Sequence, residues 1–405
     1  MRDCIIEKAP PSEMVTSYPV YYLPRRPVVR ESSNSTKVRP VFDASVVGYN
    51  GISLNDCLEC GPSLNPDLVG VLIRFRRWKV ALTADITKAF LQIKVRREDQ
   101  DVHKFLWNCD GTVRIMRFVR VPFGNKSSPF LLNATIKTHL KNYPHSKVVN
   151  ELYNNLYVDD WLSGADSDAE ACVKFNEASK IRAEAGMSLS RWNSNSKALR
   201  EKFHEIFELY GGDESVKILG MQWFSEDCFT FNDFIIESQF EVITKRNVLS
   251  IIARCFDPLC LISPIVMLAK ILFQDIWRLG LNWDEVLPKE LNLKFQNWLK
   301  GFKELYPMKI QRSYFPSLQW KGIKGLELHS FGDASEGGFG ACVYIRIPLG
   351  DDLFQVALVL SRGKVAPIKK VSLPRLELLG ALLCTRLLVF VKTALFLMEE
   401  VSYYC

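Results

Sequence analysis

The chain has 405 residues, 48% of them hydrophobic, with mean hydropathy near zero and 52 basic against 45 acidic side chains. That composition excludes a disordered or low-complexity protein and allows two or three domains with their own cores. Eleven cysteines and no apolar leader in Met1-Arg-Asp-Cys-Ile-Ile-Glu-Lys point to reduced intracellular thiols, not a secreted disulfide scaffold.

Residues 1–60 are rich in proline and turn formers and read as short strands. Cys57 and Cys60 form a C-x-x-C, but no second Cys or His pair follows at zinc-site spacing. From 61 to 224 strands and helices alternate. The net charge of +7 is concentrated here, with Arg74, Arg76, Arg77, Lys79, Lys88, Lys94, Arg96 and Arg97 set against Asp85 alone between 74 and 97. Such a run is either a solvated face or a track for a phosphate backbone. Val80, Leu82, Ala84 and Ile86 alternate with Ala81, Thr83 and Asp85, the period of a strand. Asp85 thus ends a mostly buried strand. Further on, Leu156-Tyr-Val-Asp-Asp-Trp-Leu162 sets Asp159 and Asp160 side by side in an apolar run. A helix follows: Ser167-Asp-Ala-Glu170 is a capping box, apolar residues recur from Cys172 to Ala185, and Gly186 ends it.

Residues 225–325 read as mostly helical connecting structure, with Trp277, Trp283 and Trp298 as core or interface anchors. A new strand begins at Leu326, then a glycine-rich turn, Gly337-Gly-Phe-Gly340, and a strand from Ala341 to Ile347. The apolar run Leu378–Met398 carries Arg386 and Lys392, each costly at a bilayer centre, so a helix packed on a sheet is the expectation and no membrane partner is implied.

An Asp-Asp pair at a turn is ordinarily a solvated tip. The buried-strand carboxylate upstream argues otherwise. A strand-borne Asp with an Asp-Asp hairpin supplies the hard oxygens of a two-metal phosphoryl-transfer site, Asp85 and Asp159 bridging two Mg²⁺ or Mn²⁺ ions and Asp160 a weaker ligand.

Tyr157-Val-Asp-Asp160 and Ala84-Asp-Ile-Thr-Lys-Ala-Phe90 resemble the catalytic motifs of a reverse transcriptase palm. With them, in order, stand Tyr21-Tyr-Leu-Pro, Val38-Arg-Pro-Val-Phe-Asp-Ala-Ser45, Ser53-Leu-Asn-Asp56, Leu72-Ile-Arg-Phe75 and Val121-Pro-Phe-Gly-Asn-Lys-Ser-Ser-Pro129. Ser190-Arg-Trp-Asn-Ser-Asn195, Thr244-Lys-Arg, Phe256-Asp-Pro-Leu259, Phe331-Gly-Asp-Ala-Ser335 and Leu373-Pro-Arg-Leu-Glu-Leu378 complete the set. The ordered set, from about 18 to about 398, is similar to the polyprotein of a BEL/Pao-type LTR retrotransposon.

The resemblance implies an α+β fold: an N-terminal segment and part of the fingers (1–60), reverse transcriptase fingers and palm (61–224), a thumb- or connection-like region (225–325), and a truncated RNase H-like domain (326–405). It implies an RNA-directed DNA polymerase acting on an RNA template, a DNA primer, RNA–DNA hybrid and dNTPs. Its setting would be intracellular and cytoplasmic, in a virus-like particle if part of a full element. The Ile86 carbonyl would complete the metal site. Phe90 would be the steric gate against a 2′-hydroxyl. Lys37 and Arg39 would grip the triphosphate, and Gly124, Ser128 and Asn133 would contact nucleotide or template, with Asn133 standing where Gln is usual. Leu219, Gly220 and Met221 would form the primer grip. Cys260 replaces a common glycine. Asp333 and Glu377 match the first two of four RNase H carboxylates. Lacking the other two, the domain is expected to cleave no RNA, to leave the Leu378–Met398 helix uncovered, and to cost solubility unless removed near residue 325. The competing reading is a silent nucleic-acid-binding remnant of a transposon. An aspartic peptidase is rejected, because Asp43-Ala-Ser and Asp333-Ala-Ser lack the Asp-Thr/Ser-Gly loop.

Overall fold

The computed structural model describes residues 5–9, 20–29, 38–207, 215–231, 242–304, 308–350, 352–397 and 402–404. The chain forms two compact units, each assembled from separate stretches: 1–65, 85–159 and 175–190 make the first, and 66–84, 160–174 and 191–405 the second. It passes from one to the other inside continuous elements, including the strand Val80–Ile86 and the helix Asp168–Glu184. A four-stranded sheet runs in the order Leu156–Tyr157, Asp160–Ala165, Val80–Ile86, Leu189–Asn193. All seven residues of Val80–Ile86 are buried, Thr83 and Asp85 included. The alternation in the sequence thus marks two covered faces, as a central strand requires.

In the first unit, Ile6–Lys8, Thr112–Phe118 and Lys104–Cys109 form an antiparallel sheet in that order. Arg25–Val29 pairs antiparallel with Val38–Phe42. The core gathers Leu23, Ala44, Leu54, Phe105 and Phe118, with Phe42 edge-on to Phe105 and Phe118, both at 4.9 Å. Pro129 opens the helix Ser128–Leu140, where its missing N–H costs nothing.

In the second unit, Asp67 caps the helix Leu68–Phe75 through the Gly70 N–H at 2.8 Å. That helix joins one continuous core with the strands Glu327–Ser335, Gly338–Gly350 and Leu353–Val365 and the helix Leu373–Ala394. Ser402–Tyr404 adds a parallel strand beside Glu327–Ser335. The middle region is helical as read, at Lys245–Ala253, Ser263–Arg278 and Lys289–Glu304.

Three sequence readings change. Arg74 and Arg76 are buried rather than part of a phosphate track. Arg74 donates to the Ala394 carbonyl at 3.1 Å, and Arg76 to those of Arg312 and Leu358 at 3.0 and 2.9 Å. The helix Leu373–Ala394 buries one face, from Leu376 to Ala394, in the shared core and leaves Leu378, Leu382 and Val389 exposed. Cutting the chain near 325 would remove part of this shared core, so the apolar surface it uncovers opposes the expected gain in solubility. Finally, Trp277 and Trp283 are part-exposed rings flanking the Lys245 ammonium, at 3.8 and 5.0 Å, while Trp298 packs with Phe295. Among the described residues no helix is long and apolar enough to cross a membrane.

Candidate active site

Asp85 closes its strand with only 5% of its surface exposed. The Ser190 hydroxyl donates to Asp85 Oδ1 at 2.9 Å, and Thr87 Oγ1 donates to Ser190 Oγ at 2.8 Å. One residue further, the Ile86 N–H donates to the Asp159 carbonyl at 2.9 Å. This backbone bond brings the two carboxylate-bearing positions side by side in the first unit. Burial pushes the Asp159 carboxyl above its ordinary pKa, against the weaker pull of its own backbone N–H. Asp160 begins the stretch belonging to the second unit.

The turn between Tyr157 and Asp159 holds Val158 at φ +57°, a left-handed conformation that a β-branched residue adopts only when its surroundings enforce it. Among the described residues, no three His, Cys, Asp or Glu side chains are gathered into a metal centre. The donors at hand are still suited to a hard divalent cation, being carboxylate oxygens partly removed from water.

Phe90 lies in the short turn of helix Ala89–Gln92, part-buried and edge-on to the exposed Phe123 at 5.2 Å. The loop after Val121 is pinned from several sides. Gly124 sits at φ +98°, and a Cβ there would meet the Phe42 carbonyl at 2.7 Å, so only glycine fits. Asn55 Nδ2 donates to the Gly124 carbonyl at 3.1 Å, and its Oδ1 accepts the Lys126 N–H at 2.9 Å. Ser128, buried, donates to the Pro122 carbonyl at 2.9 Å. Asn133, 3% exposed, donates to Asn65 Oδ1 and the Pro129 carbonyl at 2.7 and 3.0 Å. Both side chains face the protein. Behind the loop, Asn125 Nδ2 donates to Nε2 of the buried His103 at 2.7 Å. Burial lowers the pKa of His103 to about 4, with Asp99 opposing weakly. Arg39 is exposed on its strand opposite Val28, and Lys37 lies outside the described residues.

In the second unit Leu219 and Gly220, at φ +46° and +90°, make the two-residue turn joining Ser215–Ile218 to the strand that Met221 opens. A Cβ on Gly220 would strike the Phe256 ring at 2.7 Å. Cys260, where glycine is common, has φ +50°. Gly332 and Gly380 let the helix Leu373–Ala394 press on the strand Glu327–Ser335, a Cβ on either meeting the other element's backbone at 3.0–3.2 Å. That contact places Asp333, on the strand, and Glu377, one turn before Gly380, at the same end of the pair; both are exposed.

Sequence reasoning assigned no role to Asn55, Asn65, His103 or Ser190. Asn55 and Ser190 lay within quoted motifs. Asn65, a polar residue just before Pro66, and His103 carried no pattern at all.

Residues 53–223 match the family described as reverse transcriptase (RNA-dependent DNA polymerase). Over that stretch the chain is thus similar to a reverse transcriptase domain, in keeping with the fold and the site. Residues 244–405 match the Pao retrotransposon-like RNaseH-like domain. Taken together, the two matched stretches are similar to a Pao-type retrotransposon reverse transcriptase followed by an RNase H-like region. No curated protein matches the chain in sequence. Among solved structures, it resembles a foamy viral protease-reverse transcriptase in complex with RNA/DNA hybrid, at TM-score 0.60 and 16% identity, over 99% of this chain and 46% of that one. A dRH form in complex with double-stranded DNA gives 0.62 and 17%, over 99% and 59%. A third foamy viral structure, with double-stranded DNA, gives 0.61 and 17%, over 99% and 71%. At such identities the likeness is one of fold, and the chain spans about half the length of the first two (46% and 59%).

Proposed function

We propose that the chain is an RNA-directed DNA polymerase, adding dNTPs to a primer 3′-hydroxyl on an RNA and then a DNA template. The carrying observation is the Ile86–Asp159 backbone bond, which sets the strand carboxylate Asp85 beside the hairpin carboxylate Asp159. The nucleic acids named in the foamy viral structures, RNA/DNA hybrid and double-stranded DNA, support a primer–template as the partner. Nine described cysteines, all free thiols, support a reducing cytoplasmic setting.

Asp85, Asp159, Asp160 and the Ile86 carbonyl would hold two Mg²⁺ or Mn²⁺ ions. When bound, these lower the pKa of the primer hydroxyl and offset charge on the leaving pyrophosphate. The chain's own groups do the rest. Ser190 donates to one oxygen of Asp85 and so fixes how that carboxylate is turned. The Asn55-pinned loop bears Phe123, which backs Phe90 so that the ring can exclude a ribose 2′-hydroxyl. Arg39 offers a fork of donors to the triphosphate.

Primer extension on poly(rA)·oligo(dT) with Mg²⁺ tests the reading. Asp85→Asn and Asp159→Asn should each lower incorporation by about a hundredfold or more, since roughly 1.4 kcal/mol is already tenfold. Full incorporation by Asp159→Asn would sink it. Primer–template binding without any extension by the parent chain would instead favour a silent remnant.

A further inference from the structure

The catalytic hairpin turns on a residue that does not favour its own conformation. Val158 sits at φ +57°, and an unrestrained β-branched residue would relax to the extended region, swinging the following carboxylate of Asp159 away. The Val158 N–H is met by Asn65 Oδ1 at 3.3 Å. The same oxygen accepts Asn133 Nδ2 at 2.7 Å, and Asn133 also donates to the Pro129 carbonyl at 3.0 Å, in the first turn of the helix Ser128–Leu140. Asn65 is held from its own side too. Pro66 restricts its backbone, and the Asp67-capped helix starts directly after it. One amide oxygen, fixed by a buried neighbour, thus receives the backbone N–H of the strained residue itself.

We propose that Asn65 is a positioning residue: its side-chain oxygen, oriented by Asn133, holds the Tyr157–Asp159 turn in the left-handed form that presents Asp159 to the reacting centre. Asn65 touches no substrate and acts through Val158. The proposal accounts for a short, buried Asn at 133, because that residue reaches Asn65 rather than a nucleotide. It rests on the reading of Asp159 as a metal-bearing carboxylate.

The test uses the full chain with two readouts, Mn²⁺ affinity by electron paramagnetic resonance and dNTP incorporation. Asn65→Ala should weaken Mn²⁺ binding about tenfold and raise the Mn²⁺ concentration needed for half-maximal extension by a similar factor, the scale of one lost buried hydrogen bond. The KM for dNTP should stay within about twofold. Asn65→Asp keeps an oxygen acceptor and should retain most of the affinity. Adding Val158→Gly to Asn65→Ala should restore part of it, because glycine holds the turn without help.

Parent-like Mn²⁺ affinity in Asn65→Ala overturns the proposal. So does a loss that neither Asn65→Asp nor the added glycine recovers, which would show a merely structural role, and so does a parent chain that binds no Mn²⁺. If the parent binds Mn²⁺ and Asn65→Ala weakens it while no primer is extended, the positioning role stands and the polymerase reading falls.

Discussion

Acidification should loosen the nucleotide loop through one buried imidazole. His103 is 6% exposed, and its Nε2 lies 2.7 Å from the side-chain amide of Asn125. Charging the ring would bury a cation in a site with little water. Burial accordingly lowers its pKa from 6.5 to about 4. The unfolded chain binds a proton below about pH 6.5 while the folded one does not, so stability falls as pH drops from 6.5 and levels off below about 4. The full difference is about 3 kcal/mol, of which about 2 kcal/mol is gone by pH 5. Urea unfolding at pH 7 and pH 5 should show that loss in the parent chain and not in His103→Gln, whose amide can still accept from Asn125. NMR titration of the His103 ring should give its midpoint well below 5. An unperturbed midpoint, or the same pH slope in His103→Gln, would refute the argument.

Phe90→Val should raise rNTP use relative to dNTP in primer extension, by tenfold or more if the ring sets the clash; an unchanged ratio removes it as the gate. Cys260→Gly should stabilise the chain by about 1 kcal/mol in thermal or urea unfolding, because φ +50° costs a side chain what glycine does not spend. A destabilised Cys260→Gly would mean that the thiol's packing outweighs the backbone.

The pairing of Asp85 with Asp159 could be read from the sequence because its chemistry is local. A carboxylate in a strand and a second pair in an apolar hairpin are unusual choices that few other functions explain. The helix Asp168–Glu184 was announced by its cap, its periodicity and Gly186. What stayed hidden depends on distant partners. Arg74 and Arg76 look like surface charge until the carbonyls of Ala394 and Leu358, about three hundred residues away, accept their hydrogen bonds. Asn65 becomes informative only when Val158 and Asn133 arrive beside it. Nor does any pattern reveal that helix Leu68–Phe75 shares a core with the strands after Glu327.

That each unit is sewn from separate stretches governs how the protein can be made. A ribosome releases Ile6–Phe42 long before the helix Asp168–Glu184 and the strand beginning at Leu189 exist to finish the first unit. Helix Leu68–Phe75 waits longer still, for apolar partners as far along as Leu395. Contacts of such long sequence separation form late and slowly. The nascent chain therefore carries bare apolar surface through most of its synthesis, the period in which holdase chaperones would matter most.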